Sequence, residues 1–139
     1  MDKMFSTIRI LVVDDEEDIR DGSERILNRL GFQVLKTSRG LDALDILSKE
    51  KVAIVFLDLK MPGMDGMEVL ERIMQLDRSI MVIVVTGFAS VETAIEALKY
   101  GGYDVITNRF EPVQMRIKAK SAADRVLLAL SSYKLFMED

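Results

Sequence analysis

Along its whole length the chain alternates short apolar runs with stretches in which apolar residues recur every three or four positions. Ile8 to Val13 is a β-branched run that ends abruptly in acid. Behind it Ile19, Ile26, Leu27 and Leu30 recur at helical spacing, and Gly31 closes that helix. Phe32 to Leu35 reads as a second strand, and Leu41, Leu44 and Leu47, with Ala43, as a second amphipathic helix. Val52 to Leu57 is continuously apolar, as expected of a strand buried on both faces. Pro62, Gly63 and Gly66 mark a loop, Met67 to Leu76 is helical, and Ile80 to Val85 is another buried strand. Ser90 is a suitable helix cap ahead of Val91, Ala94, Ile95 and Leu98. Val105 and Ile106 form a short last strand, and Pro112 suits the first turn of a final helix.

Strand and helix therefore alternate five times. That pattern argues for a parallel sheet with helices on both faces. Right-handed crossovers leave few topologies. The expected class is α/β: a flavodoxin-like, doubly wound sheet of five parallel strands in the order 2-1-3-4-5, with five helices. A chain of 139 residues suits one domain. We assign residues 1–125 to it and 126–139 to a helical extension or the start of a linker. Ala119, Ala123, Val126, Leu130, Tyr133 and Met137 follow a 4-3-4-3-4 spacing, which extends the last helix to about Met137. Such a seam serves a helix that dimerises or leads into an output domain, or one that packs on its own domain.

Composition narrows the chemistry. Hydrophobic residues make up 49% and charged residues 30%, which suits a packed core and argues against disorder. No apolar run approaches the roughly 18 residues of a membrane span. The first residues do not read as a signal peptide, so a cytoplasmic location is expected. The net charge is −4 without a clustered basic patch, so nucleic-acid binding is not expected. Cys and His are both absent from the sequence. Disulfides, thiolate or imidazole metal ligands, cysteine nucleophiles and Ser-His triads are excluded with them. Carboxylates remain as the main chemical resource, and they suit a hard cation such as Mg²⁺.

In the 2-1-3-4-5 order a ligand site lies beyond the carboxyl ends of strands 1 and 3. Strand 1 ends in Asp14-Asp15 and strand 3 in Asp58, so these acids are expected to meet. A single acid at a strand end is ordinarily just solvated or caps a helix. Three converging at the switch point repel one another, and a divalent cation is the natural compensation. The loop Asp14-Asp15-Glu16-Glu17-Asp18 would repel the bare phosphate of a flavin or dinucleotide. No Gly-rich loop followed by Lys-Ser or Lys-Thr occurs. Asp58 is followed by Leu59 and Lys60, so the paired acids of a haloacid-dehalogenase-type phosphatase are missing.

Four segments carry a family resemblance: Ile10-Leu-Val-Val-Asp-Asp15, Val55-Phe-Leu-Asp-Leu-Lys-Met-Pro-Gly-Met-Asp-Gly66, Val84-Val-Thr-Gly87 and Gly101-Gly-Tyr-Asp104. Together they resemble the CheY-like receiver domain of two-component response regulators, from Ile8 to the low 120s. Thr86 to Pro112 is most similar to receivers attached to enhancer-binding transcription activators. The resemblance implies that Asp58 is the phosphoacceptor. It implies that Asp15 is a direct Mg²⁺ ligand, Asp14 a water-mediated one, and the Lys60 carbonyl a further ligand. Thr86 then supplies a hydroxyl to the phosphoryl group. The implied partner is a histidine kinase or phosphotransfer protein. Such a domain promotes its own phosphorylation and dephosphorylation and is not a turnover enzyme on an external substrate.

Three positions depart from the family pattern. Receivers carry a Lys after strand 5, commonly in Thr-Lys-Pro-Phe; here the run is Thr107-Asn108-Arg109-Phe110. Asn108 keeps a hydrogen-bond donor but removes a fixed positive charge from the place where negative charge accumulates. Arg109 stands where the family has Pro, and an Asn-Arg peptide prefers trans by roughly 2.5–4 kcal/mol. Val105 stands where many receivers have Tyr or Phe, and it reads as a core strand residue. An impaired or atypical switch is expected, with a phosphorylation-independent interaction module as the alternative. Phe88, two residues after Thr86, and Lys60, two after Asp58, occupy positions that tune acyl-phosphate hydrolysis in this family.

Overall fold

In the computed structural model, which describes residues 3–87, 91–107 and 111–137, the five apolar runs form one parallel sheet. Its strands are β1 (Arg9–Val13), β2 (Gln33–Thr37), β3 (Ile54–Asp58), β4 (Met81–Val85) and β5 (Asp104–Ile106). They lie in the expected order, β2-β1-β3-β4-β5. The helices are α1 (Glu17–Arg29), α2 (Gly40–Lys49), α3 (Gly66–Leu76), α4 (Val91–Lys99) and α5 (Pro112–Met137). Ser90 lies outside the described residues.

Alternation along each strand divides the core. Ile10, Val12, Ile54, Phe56, Ile83, Val85 and Ile106 face one side, where they meet Leu27 of α1 and Met115, Ala119, Ala122 and Ala123 of α5. Leu11, Val13, Val55, Leu57, Val82 and Val84 face the other and pack on Ala43, Val69, Leu70, Ile73 and Ala97 of α2, α3 and α4. Both faces are covered, which is why the central strands β1, β3 and β4 read as nearly unbroken apolar runs.

Some boundaries shift. The strand expected at Phe32 to Leu35 starts at Gln33 and runs to Thr37. Phe32 belongs to the turn that ends α1: its N–H donates to the Leu27 carbonyl at 3.2 Å, and Gly31 takes φ +106°. The third strand starts at Ile54 and includes Asp58, which pairs with Val85. A 3-10 helix at Lys3–Thr7 was not expected. It brings Phe5 into the core, stacked on Phe32 with ring centroids 4.6 Å apart.

Of the readings open for the last helix, packing on its own domain describes its first half. α5 does run unbroken to Met137, but Ala119 and Ala123 are fully buried against the sheet and Val126 packs on the same cluster. Only Leu130 and Tyr133 of that seam are exposed, and the Met137 side chain lies outside the description. A helix lying on a globular core and one in a coiled coil share the same local spacing, so the pattern alone could not separate them. No described helix is long and apolar enough to cross a membrane.

Candidate functional site

β1 and β3 are neighbours in register, with Val13 opposite Leu57. The next residue of each is an acid, so Asp14 and Asp58 emerge side by side at the carboxyl edge of the sheet. Asp15 joins them, and one carboxylate oxygen from each of the three lies within 4.8 Å of the others. Asp14 and Asp58 are buried, 3% and 1% exposed, while Asp15 is open to solvent. Clustering three carboxylates, two of them buried, is costly without compensating positive charge. The donor set is all hard oxygen, which fits Mg²⁺ and suits no thiophilic metal.

The backbone holds these acids in place. Asp14 Oδ1 accepts from the Glu16 N–H at 2.9 Å, and the Asp14 N–H donates to the Thr37 carbonyl of β2 at 3.1 Å. Asp58 Oδ1 accepts from the Lys60 N–H at 3.0 Å, which folds the loop after β3 back over its own strand end. The Leu59 N–H donates to the Val85 carbonyl at 3.1 Å, tying that loop to β4. Downstream, Asp65 caps α3 by accepting from the Met67 N–H at 3.1 Å.

Thr86 follows β4 directly and is 2% exposed, with its N–H on the Ile106 carbonyl at 3.0 Å. β3 and β4 are adjacent, so Thr86 stands one residue past the Asp58–Val85 pair. Val105 is half-buried at the centre of β5, paired with Val84, and packs on the core between the sheet and α2, α3 and α4. It is an edge-strand residue of the core with no polar group to offer the site. Lys60 is exposed, and the neighbouring Met61 is buried. Asn108, Arg109 and Phe88 lie outside the described residues.

Two residues near the site escaped the sequence reading. The Arg20 guanidinium donates to the Asp14 carbonyl at 2.8 Å, pinning α1 to the acid loop. Ser23 is fully buried on α1, beside Asp14 and Asp58. Arg20 carried no sequence signal, being one of many charges on α1. Ser23 did carry one, as a polar residue on the apolar stripe Ile19, Ile26, Leu30.

A family model described as the response regulator receiver domain matches residues 10–120. Sporulation initiation phosphotransferase F of Bacillus subtilis (strain 168) is 36% identical over 112 residues, 81% of this chain and 90% of that protein. The C4-dicarboxylate transport transcriptional regulatory protein DctD of Rhizobium meliloti (strain 1021) is 31% identical over 132 residues, 95% of this chain but 29% of that protein. The crystal structure of NtrX from Brucella abortus superposes with a TM-score of 0.83 at 31% identity, covering 91% of this chain and 29% of that one. A CheY-like receiver domain protein from Methanospirillum hungatei JF-1 gives 0.80 at 31% identity, covering 85% and 94%. Sheet order, acid cluster and sequence similarity agree: the chain belongs to the response regulator receiver domains of two-component systems.

Proposed function

We propose that this domain accepts a phosphoryl group on Asp58 in a Mg²⁺-dependent reaction and passes the signal on by a change of shape or association. The observation that carries this reading is the convergence of Asp14, Asp15 and buried Asp58 within 4.8 Å, with Thr86 buried at the adjoining strand end. A carboxylate oxygen of Asp58 attacks phosphorus, and the bond from phosphorus to the donor breaks in line as the acyl phosphate forms. Asp15, Asp58 and the Lys60 carbonyl, with Asp14 through a water, would hold Mg²⁺, which would supply charge neutralisation for the phosphoryl oxygens. The Thr86 hydroxyl donates to a phosphoryl oxygen. The Lys60 N–H on Asp58 Oδ1 orients the nucleophile.

The donor is a phosphohistidine on a partner kinase or phosphotransfer protein, since this chain has no His. The domain is not a turnover enzyme. Asn108 makes phosphorylation slow, because it leaves one fewer positive charge near the transferring group. Association of two copies would use the exposed end of α5, where Leu130 and Tyr133 face solvent. An output domain joined at that end accords with the longer relatives, of which this chain covers 29%.

A second reading, a phosphorylation-independent interaction module, draws on Asn108, Arg109 and the aliphatic Val105. Intact mass after incubation with Mg²⁺ and acetyl phosphate separates the two. One phosphoryl group gained by the chain, and not by Asp58→Ala, is the expected result. Asn108→Lys is expected to speed the gain. No gain either with acetyl phosphate or with a cognate kinase would favour the interaction module.

A further inference from the structure

On the α1–α5 side of the sheet, directly beneath the acid cluster, the packing is incomplete. Val12, Phe56, Val85 and Ile19 leave about 10 Å³ in which a water molecule can be centred. That is close to the room one buried water needs. Asp14 and Asp58 share the walls of this void, and so does Ser23. Ser23 is fully buried, and its Oγ has no hydrogen-bond partner.

Burying a hydroxyl without a partner is unfavourable, and native structures rarely leave one so. The position is also one where an aliphatic side chain would be expected. Ile19, Ile26 and Leu30 continue the apolar stripe of α1 on either side of Ser23. A larger apolar residue there would fill the void. A serine keeps it open and puts a donor on its wall.

We propose that this void is a site for one ordered water, held by Ser23 Oγ against the underside of Asp14 and Asp58. The donor arithmetic fits a water. Ionised carboxylates only accept, and the serine hydroxyl has a single proton to give. A water that accepts that proton presents two O–H donors, one toward each acid. Ser23 then acts as a positioning residue: it touches neither phosphate nor metal, but steadies two of the three acids from the core side. Partners of this kind commonly govern metal affinity.

Two measurements on the full chain test this. The first is a crystal structure of the wild type at about 1.2 Å resolution, fine enough to place single buried waters. It is expected to show density within hydrogen-bond distance of Ser23 Oγ. An empty void, with the hydroxyl turned onto the Ile19 carbonyl one turn back, would overturn the proposal. The second is oxygen-17 relaxation dispersion, which counts long-lived waters, on wild type and Ser23→Val. The variant is expected to hold one fewer, and equal counts would overturn the proposal. Should Ser23→Val fail to fold, the wild-type density decides alone.

The effect on the acids rests on the metal reading given above, and the water count does not. Ser23→Val is expected to weaken Mg²⁺ binding about 10-fold while leaving the melting temperature equal or higher. Raised stability with unchanged Mg²⁺ affinity would reduce Ser23 to a packing defect. If the wild type binds no Mg²⁺ at all, the metal reading fails while the water site still stands or falls on its density and count.

Discussion

Replacing Gly66 by alanine sets two effects of opposite sign against each other. Gly66 is the first residue of α3, and alanine is the better helix former by about 1 kcal/mol. A Cβ at this position, however, would lie 2.5 Å from the Leu59 Cα and 2.7 Å from the Leu59 carbonyl oxygen. That is about 1 Å short of ordinary van der Waals contact, and the obstacle is backbone that cannot rotate away. Leu59 is itself held by its N–H on the Val85 carbonyl. Overpacking of this kind costs about 1–3 kcal/mol, and a backbone obstacle puts Gly66 at the upper end. The net expectation is a loss of about 2 kcal/mol, or roughly 5–10 °C in melting temperature for a domain of this size. The same shift would disturb the Lys60 N–H on Asp58 Oδ1, so Mg²⁺ affinity should fall as well. Gly63→Ala is the control: φ is +95°, but nothing lies within 4 Å of its added Cβ. It should cost about 1–2 kcal/mol through backbone strain alone and leave Mg²⁺ binding unchanged. Urea unfolding and calorimetric Mg²⁺ titration of both variants read this out. A Gly66→Ala protein as stable as the wild type, or more so, would refute the close-approach argument.

Three further outcomes are expected. Phe5→Ala, which removes a buried ring stacked on Phe32, should cost about 3 kcal/mol in urea unfolding; a loss under about 1 would mean the N-terminal 3-10 helix adds little to the core. Asp77 at the end of α3 is held below the ordinary carboxylate value of 3.8 by the Ser79 hydroxyl and then by the Ser79 N–H. A depressed carboxyl stabilises the fold in full above 3.8 and loses that contribution as pH falls through its lowered value. The melting-temperature gap between wild type and Ser79→Ala should therefore be constant from neutral pH to about pH 5 and narrow below 3.8; a gap independent of pH would contradict this. Mg²⁺ at a hundred times its Kd should stabilise the wild type by about 2.7 kcal/mol, and Asp15→Asn should lose most of that gain at the same Mg²⁺ concentration. An equal gain in both proteins would remove Asp15 from the metal site.

The strand order and the acid cluster were legible without coordinates because both follow from local facts. Unbroken apolar runs alternating with amphipathic helices admit few topologies, and the preferred one makes the first and third strands neighbours. Once they are neighbours, acids at their carboxyl ends must meet, as Asp14, Asp15 and Asp58 do. The family motifs lie on those same strand ends, so resemblance and topology pointed to one place. What escaped prediction depended on which partner a segment finds across space. The spacing of Ala119 and Ala123 is common to coiled coils and to helices lying on a sheet. Only the folded chain shows those residues buried against its own strands, with Leu130 and Tyr133 left exposed. Phe5 sits in a short polar segment, and a partner 27 residues away in sequence, Phe32, draws it into the core. Arg20 is one charge among many on α1 until the loop carbonyl of Asp14 comes within 2.8 Å of it. Periodicity reports the face a residue occupies on its own element. Which surface that face meets is settled by chain segments distant in sequence, and that belongs to the tertiary structure.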